Sequence, residues 1–167
     1  EATIAERVDA IAFPGLTANF DAANTAALAV TLADWLSHGE RYAADMVDAA
    51  SRLADRLLDA GVPVFTTPDG PTRSHAFAID AGDEGGDQAS RRLARANLLV
   101  SGIGLPTDPA RGVRIGTNEI VRWGITGVHL DELSRLVADA WHSSDPADSA
   151  AAVSVFRRRF DRIGYCD

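Results

Sequence analysis

The chain has 167 residues, 46% of them hydrophobic and 24% charged, which is enough for one ordinary globular domain with a real core. Its net charge of -8, from 16 basic and 24 acidic side chains, argues against a binder of nucleic acid or of an anionic membrane, whose affinity rests on a basic face. All the basic residues are arginine, so chemistry that needs a lysine amine, such as a Schiff base, is closed to this polypeptide by itself.

The single cysteine, Cys166, is the penultimate residue. It allows no internal disulfide and no Cys-based metal site, and it fits a reducing cytoplasm. The longest apolar runs are far shorter than a membrane span. The chain opens on Glu1-Ala2-Thr3-Ile4-Ala5-Glu6-Arg7, acidic and amphipathic, unlike a secretory signal and without an initiator Met. The expectation is a processed product or fragment.

In chain order, residues 1–12 read as a short amphipathic helix with Ile4, Val8 and Ile11 on one side, broken at Phe13-Pro14-Gly15-Leu16. The Ala-rich stretch from about Asp21 to Leu36 has few charges on any face and is expected to be a buried helix, interrupted at Ser37-His38-Gly39. Ala43, Met46, Val47, Ala50, Leu53, Ala54, Leu57 and Leu58 then repeat at helical spacing, with Gly61 at a C′ position and Pro63 barring continuation. Beyond this the period changes. Val62 to Thr66 and His75 to Asp80 read as strands, Asp87 to Asn97 as a helix, and Leu98 to Ile103 and Val113 to Ile115 as further strands. Asn118 to Trp123 makes one or two helical turns, Asp131 to Trp141 an amphipathic helix, and Asp145-Pro146 the start of a last helix reaching about Phe160.

Long helices followed by a β-α-β-β-α-α unit predict the α+β class: a small helix-covered sheet, with the Ala-rich helix projecting away from it. The expected divisions are an interdomain or inter-chain arm and helix over 1–36, a small α/β domain over 37–142, and a C-terminal helix and tail over 143–167.

Several pieces in one order then resemble a known family. They are Phe13-Pro14-Gly15-Leu16, Ser74-His75-Ala76-Phe77-Ala78-Ile79-Asp80, Leu105-Pro106-Thr107-Asp108-Pro109, and Gly112-Val113-Arg114-Ile115-Gly116-Thr117 followed by Arg122-Trp123-Gly124. The chain resembles the C-terminal part of serine hydroxymethyltransferase and its relatives, pyridoxal-phosphate enzymes of fold type I, over roughly Glu1 to Trp141. The resemblance implies the C-terminal small domain of that fold. It also implies that the lysine forming the internal aldimine, and the residues holding the pyridine ring, belong to a partner chain. The unit would then be a hetero-oligomer, a dimer of complete units, with small amino-acid and aldehyde substrates.

Site residues follow from the same resemblance. Arg114, in the R-x-G-T context, is expected to bind the substrate α-carboxylate; a guanidinium fork matches a carboxylate with two parallel hydrogen bonds. Ala18 and Asn19 fall where the family has Gly-Gly near the cofactor phosphate of a neighbouring subunit, and an ordinary loop is the competing reading. His75 is read as structural, a polar side chain satisfied by nearby backbone, and His38, His129 and His142 as loop or helix-end residues. No catalytic residue and no metal site is expected in this chain. Ser101, Gly102 and Ile103 replace the family's N-K-N, which puts tetrahydrofolate use in doubt. Arg157-Arg158-Arg159 is expected to be a solvated helix face or an inter-chain ion-pair surface.

The function this resemblance implies is aldol, transaldol or hydroxymethyl transfer at Cα of a glycine, serine or threonine type of amino acid, with pyridoxal 5′-phosphate bound by the partner chain. Two alternatives stand beside it: folate-dependent serine hydroxymethyltransferase proper, and a non-catalytic regulatory partner subunit.

Overall fold

A computed structural model describes residues 2–16 and 21–166. The chain divides into two compact units, Glu1–Ser37 and His38–Asp167. Among the described residues no helix is long and apolar enough to cross a membrane.

The first unit begins with helix α1 (Ala2–Ala10), followed by an irregular segment, 11–16, in which Phe13 is extended and Pro14 follows it. Asp21 then caps the next helix, its carboxylate accepting from the Asn24 N–H at 3.0 Å. That helix, α2, runs unbroken over Ala22–Asp59. The interruption expected at Ser37-His38-Gly39 does not occur. One internal glycine costs only about 1 kcal/mol against alanine, and serine is tolerated in a helix interior. His38 therefore sits inside a helix, not in a loop or at a helix end. The Ala-rich stretch is helical, as expected, but it is not buried. From 22 to 36 every residue except Asp34 is exposed, Leu36 at 91%. Scarce charge makes burial possible; a covering surface brings it about, and these side chains have none among the described residues.

In the second unit, the rest of α2 buries Tyr42, Met46, Ala49, Ala50, Leu53, Ala54 and Leu57, one stripe at helical spacing. The stripe is rotated slightly from the expected one. Val47 and Leu58 stay more than a third exposed, while Tyr42 and Ala49 take inward places. α2 ends as its sequence requires. Gly61, at φ +77°, donates to Leu58 O, and the Val62 N–H reaches back to Leu57 O. Buried Val62 completes this C-cap.

Val62 to Thr66 does not become a full strand. The Phe65 N–H donates to Ala78 O and Pro63 O accepts from the Asp80 N–H, but only an isolated bridge, Val64 to Ile79, results. Pro63 has no N–H to offer a ladder. The sheet proper has three antiparallel strands: β1 (Ala76–Asp80), β2 (Ser101–Ile103) and β3 (Gly112–Gly116), in the order β1-β3-β2. Helix α3 (Gly86–Ala94) links β1 to β2. After β3 come α4 (Asn118–Arg122), α5 (His129–His142), a 3₁₀ turn (Pro146–Ser149) and α6 (Ala150–Arg157). Asp145 caps that turn through the Ala147 N–H at 3.0 Å, with Pro146 in the first turn, as its sequence predicts.

The core lies between the inner sheet face and the helices. Phe77, Ile79, Val113 and Ile115 point into it and join Leu53, Leu57, Leu93, Val121, Leu130 and Phe156. The α+β class is the observed one. Two glycines set how closely α3 approaches the sheet. A Cβ on Gly86 would fall 1.9 Å from Gly112 O, and one on Gly102 would fall 2.2 Å from Asp87 Oδ1.

Candidate functional site

Strand alternation makes the two faces of the sheet chemically different. Val113 and Ile115 are buried, so Arg114 and Gly116 lie on the opposite, outer face. β3 is the central strand, and Arg114 is paired in register with Ala78 on one side and Ser101 on the other. Its nearest neighbours across both strands are therefore small. The Arg114 side chain is exposed and makes no hydrogen bond or ion pair with any described residue. An arginine held on a rigid strand, flanked by small side chains and without an acidic partner, has its whole fork of donors available to a planar anion.

The strand is braced at both ends. At its start, Arg111 makes a two-pronged pair with Asp80, Nε to Oδ1 at 2.9 Å and an outer guanidinium nitrogen to Oδ2 at 3.1 Å. Asp80 also accepts from the Gly82 N–H at 2.9 Å. That backbone bond, with the Arg111 guanidinium beside it, holds the Asp80 carboxyl below the ordinary carboxylate range against a smaller opposing effect of burial. Arg111 is thereby committed, and it is not a second free anion donor.

At the other end, Thr117 is fully buried. Its hydroxyl donates to Met46 O at 2.7 Å and lies 2.9 Å from His75 O, while its N–H donates to the same His75 carbonyl. Tyr42 donates from its hydroxyl to Asn118 O at 2.7 Å. Helix α2 thus grips the turn after β3 at two successive residues. Burial pushes the Tyr42 phenol above its ordinary value. The tail closes over this corner: the Arg122 guanidinium donates to Tyr165 O at 3.1 Å, and the Tyr165 hydroxyl bonds to Asp45. Tyr165 stacks on Tyr42 with ring centres 4.9 Å apart, and burial followed by the Asp45 bond pushes its phenol up to about 12.

Of the other candidates, Ala18 and Asn19 lie outside the described residues. His75 does play a structural part, but through its carbonyl. Its ring is exposed and makes no hydrogen bond with a described residue, which corrects the expectation of a satisfied side chain. His129 and His142 sit at the two ends of α5, and His142 reaches Ala60 O at 3.1 Å. The three consecutive arginines are not simply solvated. Arg157 stacks over Trp123 at 4.0 Å, and Arg159 pairs with Glu132 at 2.6 Å. No cluster of three metal-binding side chains occurs among the described residues.

Thr117, Tyr42, Arg122 and Tyr165 were not singled out for a role by the sequence. Tyr42 had a signal: it lies one helical turn before Met46, so extending the apolar stripe backward finds it. The Tyr165–Asp45 contact joins residues 120 apart and had none.

No family model matches the chain. Its structure superposes on the L-threonine transaldolase from Pseudomonas fluorescens with a TM-score of 0.76, at 24% identity, covering 82% of this chain and 32% of that one. The fold is therefore that of a portion of a fold-type-I pyridoxal-phosphate enzyme. Sequence comparison is more specific. The chain is 48% identical to an α-methylserine aldolase of Variovorax paradoxus, over 99% of this chain and 38% of the relative. It is 43% identical to an α-methylserine aldolase of a Ralstonia species and 34% identical to the serine hydroxymethyltransferase of Methanopyrus kandleri. The chain is homologous to the serine hydroxymethyltransferase-like enzymes over nearly all of its own length, and it spans about two fifths of the length of these relatives.

Proposed function

We propose that these 167 residues supply the substrate-carboxylate site of a pyridoxal-phosphate-dependent aldolase, with Arg114 as the residue that holds the carboxylate. The observation that carries this reading is the free guanidinium of Arg114, fixed at the centre of the outer sheet face between Ala78 and Ser101. The substrate class follows from likeness. Identities of 43–48% to α-methylserine aldolases, against 32–34% to serine hydroxymethyltransferases, favour cleavage of a β-hydroxy amino acid over transfer of its carbon to folate. In that cleavage the Cα–Cβ bond breaks, the hydroxyl proton is lost as an aldehyde leaves, and Cα gains a proton.

The described residues fit a carboxylate site and not a cofactor cradle. The chain has no lysine to hold pyridoxal phosphate, and the two residues expected near its phosphate are outside the described ones. When bound, that cofactor supplies a sink for the electron pair left at Cα. The lysine must come from outside these 167 residues, and we assign it to a partner chain in a cytoplasmic hetero-oligomer. Arg114's part is to orient. Two parallel bonds to the carboxylate fix the direction of the remaining Cα substituents, which selects the bond that breaks. Ile103 offers no amide where the family's folate-binding segment has asparagine, which supports independence from tetrahydrofolate.

The test uses the native complex. Mass spectrometry should find a second, lysine-bearing chain carrying the cofactor. That complex should release formaldehyde and alanine from α-methylserine, with or without tetrahydrofolate. A cofactor-loaded complex that leaves α-methylserine intact, or that turns over serine only with tetrahydrofolate, overturns this assignment.

A further inference from the structure

The two edges of the sheet are finished differently. Beside β1 the segment 62–66 lies alongside, its Phe65 N–H donating to Ala78 O and its Pro63 O accepting from the Asp80 N–H. Pro63 has no N–H to offer a further strand, so that edge is both covered and blunted. β2 forms the other edge, and among the described residues no strand pairs with its free side. Leu99 and Val100 lead into it and make no backbone hydrogen bond with any described residue. If the β2–β3 register continued, Val100 would oppose Ile115, yet the ladder stops at Ser101.

An open edge is a template for pairing, and proteins blunt such edges with charge, proline or a cover. Leu98 to Gly104 carries neither a charge nor a proline. Leu99 is 88% exposed, and half-buried Ile120 and Trp123 share an apolar groove with it. An uncharged, apolar segment with unpaired main-chain groups is suited to receive another strand, with groove contacts for its alternate side chains. Two candidates could supply that strand. A second copy of this chain would bring together two bodies of net charge -8. The relatives favour the other source: this chain spans about two fifths of their length, so the larger part of such an enzyme lies outside it.

We propose that the free edge of β2, from Leu99 to Ile103, pairs with an extended segment of the lysine-bearing portion of the enzyme, which adds a fourth strand to the sheet. This rests on the proposed function, which places the cofactor lysine outside these 167 residues. Ser101 is in register with Arg114, so the added strand runs two strand spacings, about 10 Å, from β3. Its outward side chains then share the face that presents Arg114, and the pairing joins the lysine-bearing portion to the carboxylate site.

The test uses the native, cofactor-loaded complex, with the photo-cross-linking residue p-benzoylphenylalanine in place of Leu99. Irradiation should join position 99 to a peptide of the lysine-bearing portion, identified by mass spectrometry. In the wild-type complex, one of the Leu99 and Val100 amides should exchange at least about a hundredfold more slowly than in an unstructured peptide. Leu99→Asp, at an exposed position, should raise the Kd of the complex at least about tenfold. Cross-links only to a second copy of this chain, or none in a complex that contains the lysine-bearing portion, overturn the proposal and leave the aldolase reading standing. A cross-link without amide protection overturns the added strand. A cross-linked, protected complex that leaves α-methylserine intact supports the strand and overturns the aldolase reading alone, whereas a purified assembly without any lysine-bearing portion overturns both.

Discussion

The two faces of one three-stranded sheet obey different rules. On the inner face, Phe77, Ile79, Val113 and Ile115 are buried against helices, and their identity is explained by packing. On the outer face, Ala78, Arg114 and Ser101 lie side by side, and packing explains none of them. A free arginine between small residues contributes little to stability, yet everything around it is fixed. The Asp80–Arg111 pair holds one end of its strand, and Thr117 and Tyr42 hold the other. The contrast separates residues that make the fold from the residue the fold presents.

Substitutions that break the contrast from the inside should have the largest effects. Ile79→Ala removes a fully buried side chain and should cost about 2–5 kcal/mol in urea unfolding. Gly102→Ala forces a Cβ into Asp87, with its backbone nitrogen 2.8 Å away, and should cost about 1–3 kcal/mol by overpacking β2 on α3. Thr117→Val keeps the shape but removes the hydroxyl bond to Met46 O, a carbonyl that keeps its donor within α2, for a loss of about 0.5–1.5 kcal/mol. Arg114→Ala, on the outer face, should change stability by no more than about 0.5 kcal/mol.

A smaller effect concerns pH. Because the folded-state Asp80 carboxyl is held low, its contribution is present above the unfolded carboxylate range and is lost as pH falls through the folded value. The stability gap between wild type and Asp80→Asn should therefore be widest near neutral pH and close on acidification. A gap that widens in acid would contradict the bracing role given to this pair.

How much of this was legible in the sequence depends on the range of the interaction. Local signals were read correctly: Gly61 and Pro63 ending α2, Asp145-Pro146 starting the last helical segment, and alternation along β1 and β3. Arg114's place opposite the core follows from that same alternation. The misreadings each came from a local signal overruled. Gly39 looked like a break, but one glycine is too weak to stop so long a helix. The Ala-rich stretch looked buried, but composition does not supply the surface that covers it. Long-range pairings left no trace, since nothing near Asp45 announces Tyr165 and nothing near Met46 announces Thr117.

The central claim is that Arg114 binds substrate without supporting the fold. The most direct measurement is steady-state kinetics of Arg114→Ala in the native, cofactor-loaded complex. We predict that KM for the amino-acid substrate rises about 10- to 150-fold, the worth of a charge-assisted hydrogen-bond pair at about 1.5–3 kcal/mol, while cofactor content and melting temperature stay as in wild type. Unchanged KM, or a rise that tracks loss of cofactor or of fold, would contradict it.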